Sequence, residues 1–263
     1  MLPVIAANLV SMSSYSEIAH ALNESLRLTR PPVAVCLTEA VPAGIELWSG
    51  HSPAGCRFWQ EAEERVFATS ASDHAHCSIG QYTHNLDMSA ASTTDLHDAL
   101  QVFASLTYVR EEDIAAIPVL ASKPRYVIYG PLAKIPVDPD VVLLFVRAGQ
   151  TLILSEASQQ LEGGLPPAMG RPACAIIPQA MNTGRSALSL GCCGARAYLD
   201  VLSDDVALYA IAGRTLSAFA ERITALAKAN EVLTKFHQIR RNDIEAGRTP
   251  TVQESLLALQ SAG

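Results

Sequence analysis

An α/β fold, or equally α+β, follows from three features of the chain. Apolar, β-branched runs at 33–37, 126–129 and 141–146 lie between prolines and glycines and read as buried strands. Amphipathic helical patterns cover about 15–28 and 215–240, with apolar residues one turn apart. No internal repeat and no long low-complexity linker divides the chain. The expectation is one large domain spanning 1–263, a mixed β-sheet flanked by helices, or two closely packed lobes joined near 110–125.

Each element has its own local reason. Ser14 followed by Glu17 makes a capping box, and Ile18, Leu22 and Leu26 give the first helix its apolar face. Pro31-Pro32 ends it, and Val33–Leu37 is a short buried strand. Residues 41–53 hold two prolines and two glycines and read as a loop delivering the chain to Gly55-Cys56. A helix is expected over 57–66. Residues 68–76 are polar, without apolar periodicity, and Cys77-Ser78-Ile79-Gly80 reads as a turn. Helical pattern resumes near 95–106, and Glu111-Glu112-Asp113 places acids where a helix N-terminus favours them. The strands at 126–129 and 141–146 precede a helix at 151–161 closed by Gly163-Gly164. Residues 173–177 read as another short strand and 206–211 as a further one. After the long helix at 215–240, a last helix covers about 251–259.

Composition narrows the function classes. Charged residues are 17% of the chain, against roughly 25% in an ordinary soluble domain. Hydrophobic residues make up 49%, enough for a large core and incompatible with overall disorder. With 19 Lys+Arg, 26 Asp+Glu and a net charge of −7, no basic stripe is present to displace counterions from phosphates. A nucleic-acid partner is therefore not expected. The early apolar run 2–10 is broken by Pro3 and Asn8. It falls well short of the roughly 20 apolar residues of a membrane span, and it lacks the charged start of a signal peptide. A cytoplasmic protein with neither membrane nor nucleic-acid partner is the expectation, its partner being a small-molecule ligand or substrate.

Several familiar motifs are missing. There is no G-x-G-x-x-G, no Walker-type glycine loop, no G-x-S-x-G elbow, no H-E-x-x-H and no C-x-x-C pair. What remains distinctive is the setting of six cysteines, which would be reduced thiols in the cytoplasm. Cys56 follows Gly55, Cys77 opens a Cys-x-x-Gly segment, and Cys192-Cys193 stands between two glycines. A glycine neighbour removes a steric block beside the sulfur, and nearby backbone N–H groups can bond a thiolate, as they do around iron–sulfur clusters. Cys36 and Cys174 sit instead in apolar runs and read as packing residues, the commonest role of a free cysteine.

Five short segments occur in an order that resembles a known family: Pro32-Val33-Ala34-Val35, Cys56 with its following aromatic and Ala-Glu residues, Cys77-Ser78-Ile79-Gly80, Pro139-Asp140-Val141-Val142, and Cys192-x-Gly194-x-Arg196. Over about residues 20–230 the chain resembles domain of unknown function 169, a bacterial and archaeal family without an established reaction. The resemblance favours Cys192 over its neighbour Cys193 as the thiol that matters.

Histidine and arginine complete the candidate set. His74 and His76 precede Cys77, and alternation in an extended segment would put both imidazoles on one face. Arg57 and Arg196 each lie near a candidate thiol, where a guanidinium could grip a carboxylate. The reading is an enzyme with a metal centre on Cys56, Cys77 and Cys192, Cys193 being the alternative ligand. An iron–sulfur cluster with an open iron is the expected cofactor and zinc the alternative. Lyase or hydrolytic desulfurisation chemistry on a small anionic molecule would follow, with His74 or His76 as acid/base and Arg57 or Arg196 holding substrate. The rivals are a non-enzymatic protein with a closed Cys/His zinc site or an apolar pocket, and a thiol enzyme using Cys77.

Overall fold

The computed structural model describes residues 14–52, 54–169 and 172–261, so the apolar run at 2–10 lies outside the described residues. Helix α1 (Tyr15–Leu26) starts at Ser14, whose hydroxyl accepts from the Glu17 N–H while the Glu17 carboxylate accepts from the Ser14 N–H. Strand β1 (Val33–Thr38) follows, then a tight turn (Gly55–Arg57) and the four-residue α2 (Phe58–Glu61). β2 (Phe67–Ser70), a second tight turn (Ala71–His74), α3 (Ser78–Thr83), α4 (Ala90–Ser105) and α5 (Glu111–Ile114) lead to β3 (Tyr126–Pro131). Next come β4 (Val141–Val146), α6 (Ala148–Glu162), β5 (Ala168–Met169), α7 (Ile176–Thr183) and β6 (Ala187–Ser189). A π-helical turn (Gly194–Tyr198) precedes β7 (Ala207–Ala212), α8 (Leu216–Glu245) and α9 (Val252–Ser261).

One seven-stranded sheet has the order β2-β3-β1-β4-β7-β6-β5. Neighbours are antiparallel except β5 and β6, which run parallel, so the sheet is mixed and the fold is α/β. Period-two alternation sorts its side chains onto two covered faces. Val33, Val35, Val127, Tyr129, Val141, Leu143 and Phe145 point to one face, under α2, α7 and the turns between them. Ala34, Cys36, Ile128, Val142, Leu144 and Val146 point to the other, against α1, α6 and α8. Both faces being buried explains why β4 reads as an unbroken apolar run, Val-Val-Leu-Leu-Phe-Val.

Three expectations are corrected. The helix expected over 57–66 is only α2, because the chain must turn in time for Phe67 and Ala68 to pair with Tyr129 and Ile128 on β3. Residues 173–177 are not a strand: a tight turn, Ala173–Ala175, runs directly into α7. Cys77–Gly80 is not a free turn, since Cys77 caps α3 and the next three residues form its first turn. Among the described residues, no helix is long and apolar enough to cross a membrane.

Candidate functional site

Four segments deliver sulfur to one place on the first face of the sheet. Cys56 comes from the turn before α2, Cys77 from the cap of α3, Cys174 from the turn before α7, and Cys192 with Cys193 from the approach to the π-helical turn. All five line a single cavity of about 490 Å³. Its outer wall is apolar and comes largely from α4 and the segment after it, including Leu100, Phe103, Val109 and Ile117. Ser78 donates to the Asp95 carboxylate at 2.6 Å and so ties α3 to this wall.

The local geometry explains the glycines. Gly80 N–H donates to the Cys77 sulfur at 3.3 Å, and the Gly55 N–H also acts on that sulfur. A Cβ on Gly80 would stand 2.9 Å from the Cys77 sulfur, and one on Gly55 would stand 2.9 Å from His74 Nδ1. Burial raises the Cys77 thiol above its ordinary value, and the two N–H groups oppose that rise. Cys56 and Cys174 are pushed up as well, first by burial and then by the neighbouring thiols, Cys77 and Cys192 among them. The sulfurs therefore sense one another, and without a cation these three are held as neutral thiols.

Cys174, read from the sequence as a packing residue, is buried in the core and also lines the cavity. Its run, Ala-Cys-Ala-Ile-Ile, is as apolar as a strand, and periodicity cannot separate a short strand from a buried helical start. Its sulfur lies 3.3 Å from the Thr83 hydroxyl, which itself donates to the Gly80 carbonyl. Cys36 lies apart from the set: it projects through the opposite sheet face, where burial pushes its thiol up to about 12. Cys192 is half-buried against the core while Cys193 is exposed.

The two histidines do not share a face. The tight turn at Ala71–His74 sends His74 fully inside, with its Nε2 2.9 Å from the Thr69 hydroxyl, and leaves His76 exposed on the cavity lining. That correction follows from the turn, since only an extended segment would align residues two apart. A third histidine, His84, is buried beside His74 with ring centroids 6.0 Å apart, its Nδ1 2.9 Å from the Gly80 carbonyl. Burial drives both imidazoles neutral, His74 down to about 3 and His84 to about 4.

Neither arginine stands on the cavity wall. Arg196 donates to the carbonyls of Ser203, Leu190 and Val206 and so pins the loop that carries the π-helical turn. Arg57 is exposed and hydrogen-bonds Gln60. Among the described lining residues none is Lys or Arg, while Asp95 and Asp113 are present.

Behind the thiols lies a layer of polar atoms without partners. His74 Nδ1, His84 Nε2, Gln81 Oε1 and the Tyr129 hydroxyl are all buried and make no hydrogen bond. Native interiors pair most such atoms; Trp59 Nε1 is buried without a partner as well. Among the described residues, no three His, Cys, Asp or Glu side chains are grouped to hold a single metal ion.

No curated protein and no solved structure matches the chain. A family model does match, over residues 21–220, and it includes all four thiol segments. By that match the chain belongs to the DUF169 family, described as uncharacterised ArCR.

Proposed function

We propose that the protein is an enzyme holding an iron–sulfur cluster in the thiol-lined cavity, with Cys56, Cys77 and Cys192 as ligands. The observation that carries this reading is the convergence of sulfurs from separate segments on one cavity, with a backbone N–H of Gly80 aimed at Cys77. A polynuclear cluster reaches thiolates that stand apart on a cavity wall, which a single ion cannot do. It also prefers soft sulfur donors and takes up hydrogen bonds from backbone N–H groups. Cys174 stays a thiol in this reading, donating to Thr83. An iron without a protein ligand would then act as a Lewis acid toward a substrate oxygen or sulfur. His76 is the acid/base on the wall, and the apolar wall of α4 suits a small molecule with an apolar body. Lyase or hydrolytic desulfurisation chemistry fits such a site.

The test is anaerobic reconstitution of the full chain with ferrous iron and sulfide. The expected product is brown and contains bound iron and acid-labile sulfide. Alanine at Cys56, Cys77 or Cys192 should lower retained iron at least tenfold, while Cys36→Ala should leave it unchanged. A colourless chain carrying zinc would replace this reading with a zinc site. A colourless, metal-free chain with one fast-alkylating thiol would favour a thiol enzyme. One observation supports a second reading: Cys174 lines the same cavity, so it could close the ligand set and leave no open iron. Loss of cluster in Cys174→Ala would select that closed, non-catalytic site.

A further inference from the structure

The fixed charges on the cavity wall are of one sign. Asp95 and Asp113 line it, and among its described lining residues none is Lys or Arg. Asp113 is already balanced: Arg110 donates to its carboxylate at 2.8 and 2.6 Å and reaches Glu112 at 3.1 Å, without itself lining the cavity. Asp95, on α4, has capacity to spare. Ser78 donates to one of its oxygens at 2.6 Å, while a carboxylate accepts at about four sites. That one hydrogen bond ties the carboxylate to α3 and fixes where its charge stands.

Around the acids the wall is apolar and partly aromatic. Phe103 and Tyr108 meet edge to face with ring centroids 6.0 Å apart, and Tyr198 brings a third ring from the π-helical turn. Both tyrosines are exposed to solvent while lining the cavity. Aromatic faces attract cations through the ring quadrupole and give an anion nothing in return. Resting on the reading above that this cavity takes a small-molecule substrate, we propose that the substrate is an organic cation. Its amine or methylated ammonium group is set against Asp95, and its apolar body lies along the wall of α4. An anion meets Asp95 with no cation to offset it, since Arg57 and Arg196 do not line the cavity.

Three probes with one body separate charge from shape: phenethylammonium, 2-phenylethanol and phenylacetate. Each is titrated calorimetrically into the full chain, before and after reconstitution with iron and sulfide. The titrations run at pH 8, because His76 shares the wall and an ordinary imidazole is uncharged there. Phenethylammonium should bind about tenfold more tightly than phenylethanol, and phenylacetate more weakly than either. Added salt should weaken the cation and leave the alcohol unchanged. Asp95→Asn keeps an acceptor for Ser78 and should cost the cation about tenfold without affecting the alcohol. Asp98→Asn is the control, an exposed carboxylate of the same helix that does not line the cavity, and should change neither. No cation binding, equal affinity for the three probes or preference for phenylacetate would overturn the proposal. So would unchanged cation affinity in Asp95→Asn, or an equal loss in Asp98→Asn. The wild-type probe and salt series decide the matter even if Asp95→Asn does not fold. Cation preference in a chain that takes up no iron would remove the cluster and keep the substrate class. Iron uptake without cation preference would do the reverse.

Discussion

Gly80 and Gly55 show how little freedom the residues around Cys77 have. In the middle of a helix, glycine to alanine ordinarily stabilises by about 0.5–1 kcal/mol. Gly80→Ala would instead drive a methyl group against the Cys77 sulfur, and Gly55→Ala would drive one against the His74 ring. Neither neighbour has room to give: Cys77 caps α3, and His74 is bonded to Thr69 inside the core. Overpacking of this kind costs about 1–3 kcal/mol. Gly149, on the first turn of α6, meets nothing within 4 Å and provides the contrast. Urea unfolding should find Gly149→Ala equal to or above wild type and both Gly55→Ala and Gly80→Ala below it. Gly80→Ala should also retain less iron after reconstitution. Wild-type stability in both site variants would mean that the sulfur and the ring are not fixed where the structure puts them.

Secondary elements differ widely in how firmly they are anchored, and in how legible they are from sequence. β4 is buried along its whole length, whereas α4 buries only Ser92 and leaves Val102 exposed. α4 nonetheless forms the outer wall of the cavity. Amide hydrogen exchange should therefore show weak protection over 90–105 and strong protection over 141–146, with α4 gaining protection once the cavity is loaded. Equal protection of the two in the metal-free chain would contradict a loosely held wall. Legibility followed the same physics. The Ser14–Glu17 capping box, the apolar run of β4 and the long pattern of α8 are strong local signals, and each element formed where its signal lay. Local signals gave way where tertiary pairing decided. Phe67–Ser70 carries only two apolar residues and becomes a strand because β3 offers it a partner. Ala173–Ile177 has the composition of a strand, yet it turns and begins α7. That turn also carries Cys174 to the cavity lining. The glycine-flanked cysteines were legible because a close approach to sulfur leaves its mark in the adjacent residue.

At the scale of the whole molecule, buried titratable groups bound the pH range in which the fold is stable. His74 and His84 are fully buried and neutral, at about 3 and about 4, below the ordinary histidine value of about 6.5 that applies in the unfolded chain. Between those values the unfolded chain binds protons that the folded chain refuses, so stability is complete above about 6.5 and falls with falling pH. From pH 7 to pH 5 each histidine should remove about 2 kcal/mol, which together is a large share of a typical 5–15 kcal/mol. The carboxylates held below their ordinary range, Asp87, Asp205 and Glu254, favour the folded chain and lose that effect only at lower pH. The thiols act at the other end. Cys56, Cys77 and Cys174 have raised values, so the unfolded chain ionises first and stability is lost as pH rises through the ordinary thiol range. The metal-free chain should accordingly show a stability maximum between about pH 7 and pH 8. Binding a thiophilic metal reverses the alkaline limb, because the ligands must lose their protons to bind and the uptake strengthens as pH rises. Urea midpoints measured at pH 5, 7 and 9, with and without reconstituted iron, separate the two limbs. The acid loss should appear in both forms, and the alkaline loss should be smaller in the iron-loaded one, where Cys174 and Cys36 remain buried thiols. A metal-free chain equally stable at pH 5 and pH 7 would show that His74 and His84 are not the buried neutral pair described here. An alkaline loss as large in the iron-loaded chain as in the metal-free one would show that the cluster does not draw on Cys56 and Cys77.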